Sequence, residues 1–334
     1  MRFFIVIIFL LFPQFSFAQT WEERQLFGAK NAPVKLNIIS STDTPFFGHV
    51  IKDFLKNKPN VSVDYMVTGT ADLDRIFRAN AGDFDLVISS AMDLQFKLAN
   101  DGFARQLENI TLPNWAKWRD SIFAFTLEPA TIVINKKAFD GFPIPRTRQE
   151  LIKAMRARPD VFRNRVGTYD VRSSGLGYLF ATQDARASDT FWRLMEVIGG
   201  LNAKLYCCSS EMINDLADGT IAVAYNVLGS YASARTDTHD ALEIILPSDY
   251  PTTMMRTAMV SKLSENAELS TAFVDHLINH QPNAADNVLP PLISDQSNAG
   301  QITIILEPAL MTYLDKLKRR TFLSEWENAV IHGQ

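Results

Sequence analysis

Three times in the first hundred residues, an apolar run of strand length gives way to a short hydroxyl-bearing loop and then to an apolar pattern of helical period. Val34 to Ser40 (VKLNIIS) runs into Ser41-Thr42-Asp43-Thr44. Pro45 then suits a first helical position, and Phe47, Val50, Ile51, Phe54 and Leu55 share one helix face. Val61 to Val67 alternates as a strand, and Thr68-Gly69-Thr70 leads into a helix carrying Leu73, Ile76 and Phe77; Asp85 to Ile88 is followed by Ser89-Ser90 and a third helix. Such β-α-β-α-β-α order calls for a mainly parallel sheet with helices on both faces. The strand ends then lie along one edge, where open sheets of this kind hold ligands. Each Ser or Thr taken singly is an ordinary helix cap. Three sets at equivalent positions can surround one polar guest.

A second run of the same grammar follows an irregular aromatic stretch, Trp115 to Phe125. Thr131 to Ile134 reads as a strand, Thr147-Arg148-Gln149-Glu150 as a capping box, and Val166 to Tyr169 as another strand. The next loop, Asp170-Val171-Arg172-Ser173-Ser174-Gly175, opens a helix. Ser173 or Ser174 suits its cap, Gly175 would let a guest approach the backbone, and Arg172 offers a fork of donors. This is a seat for a small anion, or else an ordinary capped helix whose arginine faces water. Ile221 to Tyr225 is a further strand with Asn226 at its end; Leu242 to Leu246 and Thr257 to Val260 are two more, and Pro308 to Val330 is a charged helix.

The 334 residues exceed what one hydrophobic core usually serves, which favours two lobes. Met1 to Ala18 has the form of a signal peptide: Arg2, an apolar run from Phe3 to Phe12, and Ser16-Phe17-Ala18 before a cleavage point at Gln19. Cleavage there, with no cysteine for a lipid anchor, predicts a soluble periplasmic protein. The formal net charge of −4 disfavours a nucleic-acid partner.

Catalytic signatures are missing. The chain has no G-x-S-x-G elbow, no phosphate-binding G-x-x-x-x-G-K-[ST] loop and no H-E-x-x-H. His276 and His280 are four apart but lack a third ligand nearby, so no metal and no cofactor is expected. Asp43 and Glu128 are cleft-side carboxylates expected to hold a hydroxyl or backbone N–H rather than to perform acid–base work. An exported hydrolase is thus the competing reading to a binding module that does no chemistry. The adjacent Cys207 and Cys208 are expected as two free or loosely coupled thiols; the alternative is a bond between neighbours forming a stiff lip on the cleft.

The order and spacing of LNIISSTDTP, TGTADL, DFDLVISSAMD, EPATIVINKKAF, RSSGLGY and DGTIAVAYN resemble the type II periplasmic solute-binding proteins of ABC transporters, in the branch of iron(III) and phosphosugar binders. The resemblance covers nearly the whole mature chain and implies a two-lobed α/β fold with a hinge. It implies a first lobe over 19–124, a second over 125–236, a return to the first over 237–300, and C-terminal helices over 301–334. Carried over position by position, the cleft residues would be Ser41, Thr42, Thr70, Ser90, Arg172, Ser173, Ser174, Tyr225 and Asn226. Iron-binding members use adjacent tyrosines, whereas here the position reads Tyr225-Asn226, so a small anionic ligand, a carboxylate or phosphate ester, is expected instead. The implied partner is an ABC permease, the protein acting as a monomer. The fragments YCCSS and YNVLGSYA also look similar to phosphoglycerate-transport regulatory proteins, which would make a sensor kinase's periplasmic domain the alternative partner.

Overall fold

The computed structural model describes residues 21–235, 240–279, 289–292 and 302–331; the expected signal peptide and His280 lie outside them. Among the described residues the strands are β1 (Glu23–Gly28), β2 (Val34–Ser40), β3 (Val61–Val67), β4 (Leu86–Ser89), β5 (Lys117–Trp118), β6 (Ile122–Ala124), β7 (Glu128–Asn135), β8 (Val166–Tyr169), β9 (Lys204–Tyr206), β10 (Val223–Leu228), β11 (Leu242–Ile245), β12 (Thr252–Met254), β13 (Thr257–Val260) and β14 (Ile302–Thr303). They form two sheets. The first has order β1-β3-β2-β4-β13-β6-β5; the second has order β14-β12-β7-β10-β8-β9, with β11 also on β7. Parallel pairing runs through β3-β2-β4 in the first sheet and through β10-β8-β9, out to the edge, in the second. Both sheets are mixed overall, because the strands that cross between lobes arrive antiparallel.

Helices α1 (Thr44–Leu55), α2 (Thr70–Ala79) and α3 (Met92–Asn100) follow β2, β3 and β4. The apolar stripe of α1, Phe47, Val50, Ile51 and Phe54, packs on one face of the first sheet with Phe273 and Leu277 from α10 (Ala267–Asn279). Leu73, Ile76 and Phe77 of α2 and Leu98 of α3 cover the other face. In the second lobe, α4 (Arg148–Ala157), α5 (Pro159–Phe162) and α7 (Thr190–Gly200) share one core cluster, α8 (Ser209–Ala217) and α9 (Gly229–Ser233) the other, and α6 (Gly175–Ala187) contributes to both. The C-terminal stretch splits into a 3-10 segment, Pro308–Leu314, and α11 (Lys316–Val330), because Asp315 accepts from the N–H groups of Leu317 and Lys318 and starts a new helix. Trp326 and Phe322 bury α11 against α7. At Gly199 the two helices approach so closely that a Cβ would strike the carbonyl of Ala329.

The chain leaves the first sheet after Ala124 and returns at Thr257. β11 and β12 stay on β7 of the second sheet, so the return lies at Met254–Thr257 and not at 237 as the resemblance implied. The two crossing segments are bonded to each other. Phe125 N–H donates to the Arg256 carbonyl (3.0 Å), and Arg256 N–H donates to Thr126 Oγ1 (2.9 Å).

Candidate functional site

The lobes meet over a small cavity of about 30 Å³ at the edge where the central strands end, lined by residues of both. The first lobe contributes Ser41 from the β2 loop, Thr68, Gly69 and Thr70 from the β3 loop, and Ser90 after β4. The second contributes Tyr169 from β8, Ser174, and the Cys207-Cys208-Ser209 corner. Ser90 N–H donates to Ser41 Oγ (3.1 Å), which ties two of the hydroxyl loops together. The Tyr65 hydroxyl donates to the Thr42 carbonyl and is hydrogen-bonded to Ser40 Oγ, both at 2.7 Å, and so pins the first loop from behind.

Four of the nine residues anticipated for the cleft line this cavity: Ser41, Thr70, Ser90 and Ser174. Thr42 sits just behind it, fully buried, and accepts from Arg256 Nη1 at 2.7 Å. The other four are elsewhere. Arg172 lies outside the cavity lining and folds back onto Asp170, two residues away (2.8 and 2.6 Å), with Glu327 of α11 at 3.9 Å. Ser173 is exposed beside it. Tyr225 donates to Asp184 (2.6 Å) and accepts from Arg148 Nε (2.8 Å) inside the second lobe. Asn226 donates to the same carboxylate at 2.7 Å. At φ 61° it takes the left-handed conformation that asparagine tolerates, at the irregularity in β10. These last two belong to a buried ion network around Arg148, Asp184 and Asp249 and have no place in the cleft.

Arg256 is the cation at the cleft. It is completely buried at the second crossing point, and its Nε and Nη2 donate to Glu128 (2.6 and 3.2 Å). Glu128 also accepts from Thr126 (2.9 Å) and Ser230 (2.7 Å), which completes its shell. Burial works against the guanidinium's charge, but Glu128 outweighs it and holds the pKa above the ordinary value. Arg256 therefore stays charged, balanced by one carboxylate, with N–H groups on Nη1 and Nη2 beyond those named.

Two further carboxylates line the cavity. Burial, and next the charge of Asp43, raise the Glu22 pKa, while the backbone of Gly69 at the start of α2 pulls it down. Asp43 is raised chiefly by burial, with Glu23 adding to it and the Ser210 hydroxyl pulling it down. The Tyr169 hydroxyl lies 2.5 Å from Ser209 Oγ, and burial keeps it protonated.

Gly175 has a different role from the one its position suggested. A Cβ there would lie 2.8 Å from Leu94 Cδ1, 3.1 Å from Thr70 Oγ1 and 3.2 Å from the Ala91 Cβ, all in the first lobe. The next residue, Leu176, donates its N–H across the cleft to Thr70 Oγ1 at 3.1 Å. The missing side chain admits the opposite lobe. Cys207 and Cys208 are joined as a disulfide, so the expectation of two separate thiols is corrected. Among the described residues, these sulfurs and Glu22 form the cluster with metal-ligand spacing, but bonded sulfurs are not thiolates. His276 packs beside Phe54, 3.8 Å from Asp53.

The model of bacterial extracellular solute-binding proteins matches residues 40–284. No curated protein sequence matches significantly. Among solved structures, the substrate-binding protein of an ABC transporter from Agrobacterium tumefaciens is 29% identical with a TM-score of 0.83, over 92% of this chain and 98% of that one. The periplasmic binding protein AfuA from Actinobacillus pleuropneumoniae, solved with fructose-6-phosphate, is 13% identical with a TM-score of 0.74, over 89% and 99%. Iron-bound HitA from Pseudomonas aeruginosa is 14% identical with a TM-score of 0.64, over 89% and 99%. The last two share the two-lobed fold.

Proposed function

The chain belongs to the family of bacterial extracellular solute-binding proteins, and we propose that it captures a small anionic organic solute between its lobes and presents the closed form to an ABC permease in the periplasm. The observation that carries the choice of an anion is the Glu22 carboxylate against Gly69 in the cleft, its Oε1 3.4 Å from where a Cβ there would sit, at the start of α2. The chain's own carboxylate occupies a helix start, where unpaired N–H groups favour negative charge. A carboxylate or phosphate ester would take that position, reach the remaining N–H groups of Arg256, and accept from the hydroxyls of Ser41, Thr70, Ser90 and Tyr169. Arg256 stands where Arg172 was expected to act. The site's work is binding: a solute that bridges the lobes favours the closed state by as much as it binds that state better than the open one.

The lining charge supports a second reading. With Arg256 balanced by Glu128, Glu22 and Asp43 remain, and two carboxylates suit an ammonium group. A thermal-shift screen of carboxylates, phosphate esters, amines and neutral sugars decides between them. A ligand at 100 times its dissociation constant adds about 2.7 kcal/mol. Stabilisation by amines alone would refute the anionic reading.

A further inference from the structure

We propose that the Cys207–Cys208 disulfide is a thiol–disulfide exchange site in the wall of the cleft, and that its reduction loosens the contact between the lobes. Three observations meet here. Both cysteines line the interlobe cavity, and both sulfurs lie within 4.8 Å of a Glu22 carboxylate oxygen. Cys208 is also the N-cap residue of α8, without a side-chain cap of its own. The first turn of α8 lies at the interlobe cavity: Ser209, tied within the second lobe to the Tyr169 hydroxyl, lines it opposite Glu22 and Asp43 of the first lobe, and the Ser210 hydroxyl pulls the Asp43 pKa down. The pair therefore sets the approach of the chain to a helix start that lines the interlobe cavity and faces Glu22 of the first lobe.

Cys207 is solvent-exposed, so an external dithiol can reach it. A thiolate of that dithiol attacks the Cys207 sulfur and forms a mixed disulfide, with Cys208 leaving as a thiolate that takes up a proton. The dithiol's second thiolate then displaces Cys207, which is likewise protonated. Two electrons and two protons pass to the protein, and the reagent leaves as a cyclic disulfide. The two sulfurs, no longer bonded, must move apart to non-bonded separation. The space between them and Glu22 is a cavity of about 30 Å³, roughly that of a single water, so the thiols displace either Glu22 or the start of α8.

This inference needs the cleft but no solute, so its test is independent of the proposed ligand. The mature chain is equilibrated in a dithiothreitol redox series, alkylated with iodoacetamide and weighed. Hydrogen exchange is followed at α8 residues 211–213 and at Leu176. The expected result is no alkylation before reduction, two alkylated cysteines appearing together, and exchange at these amides rising at least about fivefold with the urea midpoint held. The double variant Cys207→Ser/Cys208→Ser should exchange like the reduced protein and ignore dithiothreitol. Alkylation without reductant, unchanged exchange on reduction, or a rise spread over the whole chain with a lowered urea midpoint would each overturn the proposal. In the last case the pair is a structural staple only.

Discussion

Replacing Gly175 by alanine tests whether the closed cleft depends on the missing side chain. Gly175 is the first residue of α6, and alanine favours a helix, so folding of the second lobe should be unchanged or raised by up to ~1 kcal/mol. The added Cβ meets three atoms of the other lobe, at 2.8, 3.1 and 3.2 Å. Leu94 Cδ1 ends a flexible side chain and can turn away, but the Ala91 Cβ cannot move without α3, and Thr70 Oγ1 is held by the Leu176 N–H. Crowding of this kind costs ~1–3 kcal/mol, and a strained Thr70–Leu176 hydrogen bond forfeits part of ~0.5–1.5 kcal/mol. Both costs fall on the closed state alone. Closure should therefore weaken by ~1–3 kcal/mol, or about 5–150-fold in solute affinity. Small-angle X-ray scattering reports the closed fraction, titration calorimetry the affinity of the best compound from the screen, and urea unfolding the fold. Gly200→Ala, where an added Cβ meets nothing within 4 Å, is the control. If Gly175→Ala closes and binds like the parent, the closed lobes do not meet at Gly175.

Three more expectations follow from the same contacts. Arg172→Ala should leave solute affinity unchanged and cost only ~0–1 kcal/mol in urea unfolding, because its side chain is 42% exposed and pairs with Asp170; a tenfold loss of affinity would return Arg172 to the site. Tyr225→Phe removes the hydroxyl between Arg148 and Asp184 and should lower stability by ~1–3 kcal/mol without touching affinity, and a binding defect in a fully stable variant would contradict its place in the second lobe's core. Asp93, buried in the first turn of α3 with one carboxylate oxygen unbonded and Arg319 and Asp74 as its charged neighbours, is pushed up to about 7 by burial. The folded chain then holds that proton more tightly than the unfolded one, so stability present near pH 4 is lost as pH rises through 7. Asp93→Asn should flatten that decline in urea titrations at pH 5, 6, 7 and 8, and parallel curves for parent and variant would refute the assignment.

What was legible in the sequence is what is local. β2, β3 and β13 fall where apolar, β-branched runs end in hydroxyls, because the burial that makes them strands is written in the run itself. β1 escaped because ERQLFG carries its charge on an edge strand that buries only Phe27, and its pairing partner β3 lies some forty residues away. Ser41, Thr70, Ser90 and Ser174 could be placed by the same logic, since a strand's end and a helix's start fix where a capping hydroxyl points. The charged residues follow the opposite rule. Arg172 looked like an anion donor and finds its carboxylate two residues away, a pairing any loop can make. Arg256, a lone arginine in TMMRTAM, meets Glu128 and Thr42 across 128 and 214 residues, and no pattern in its own neighbourhood announces that. It reaches them because both crossing segments pass through one point, so its position was encoded in where the chain changes lobes. Placing that return at 237, before β11, hid the one cation that the cleft contains among the described residues lining it.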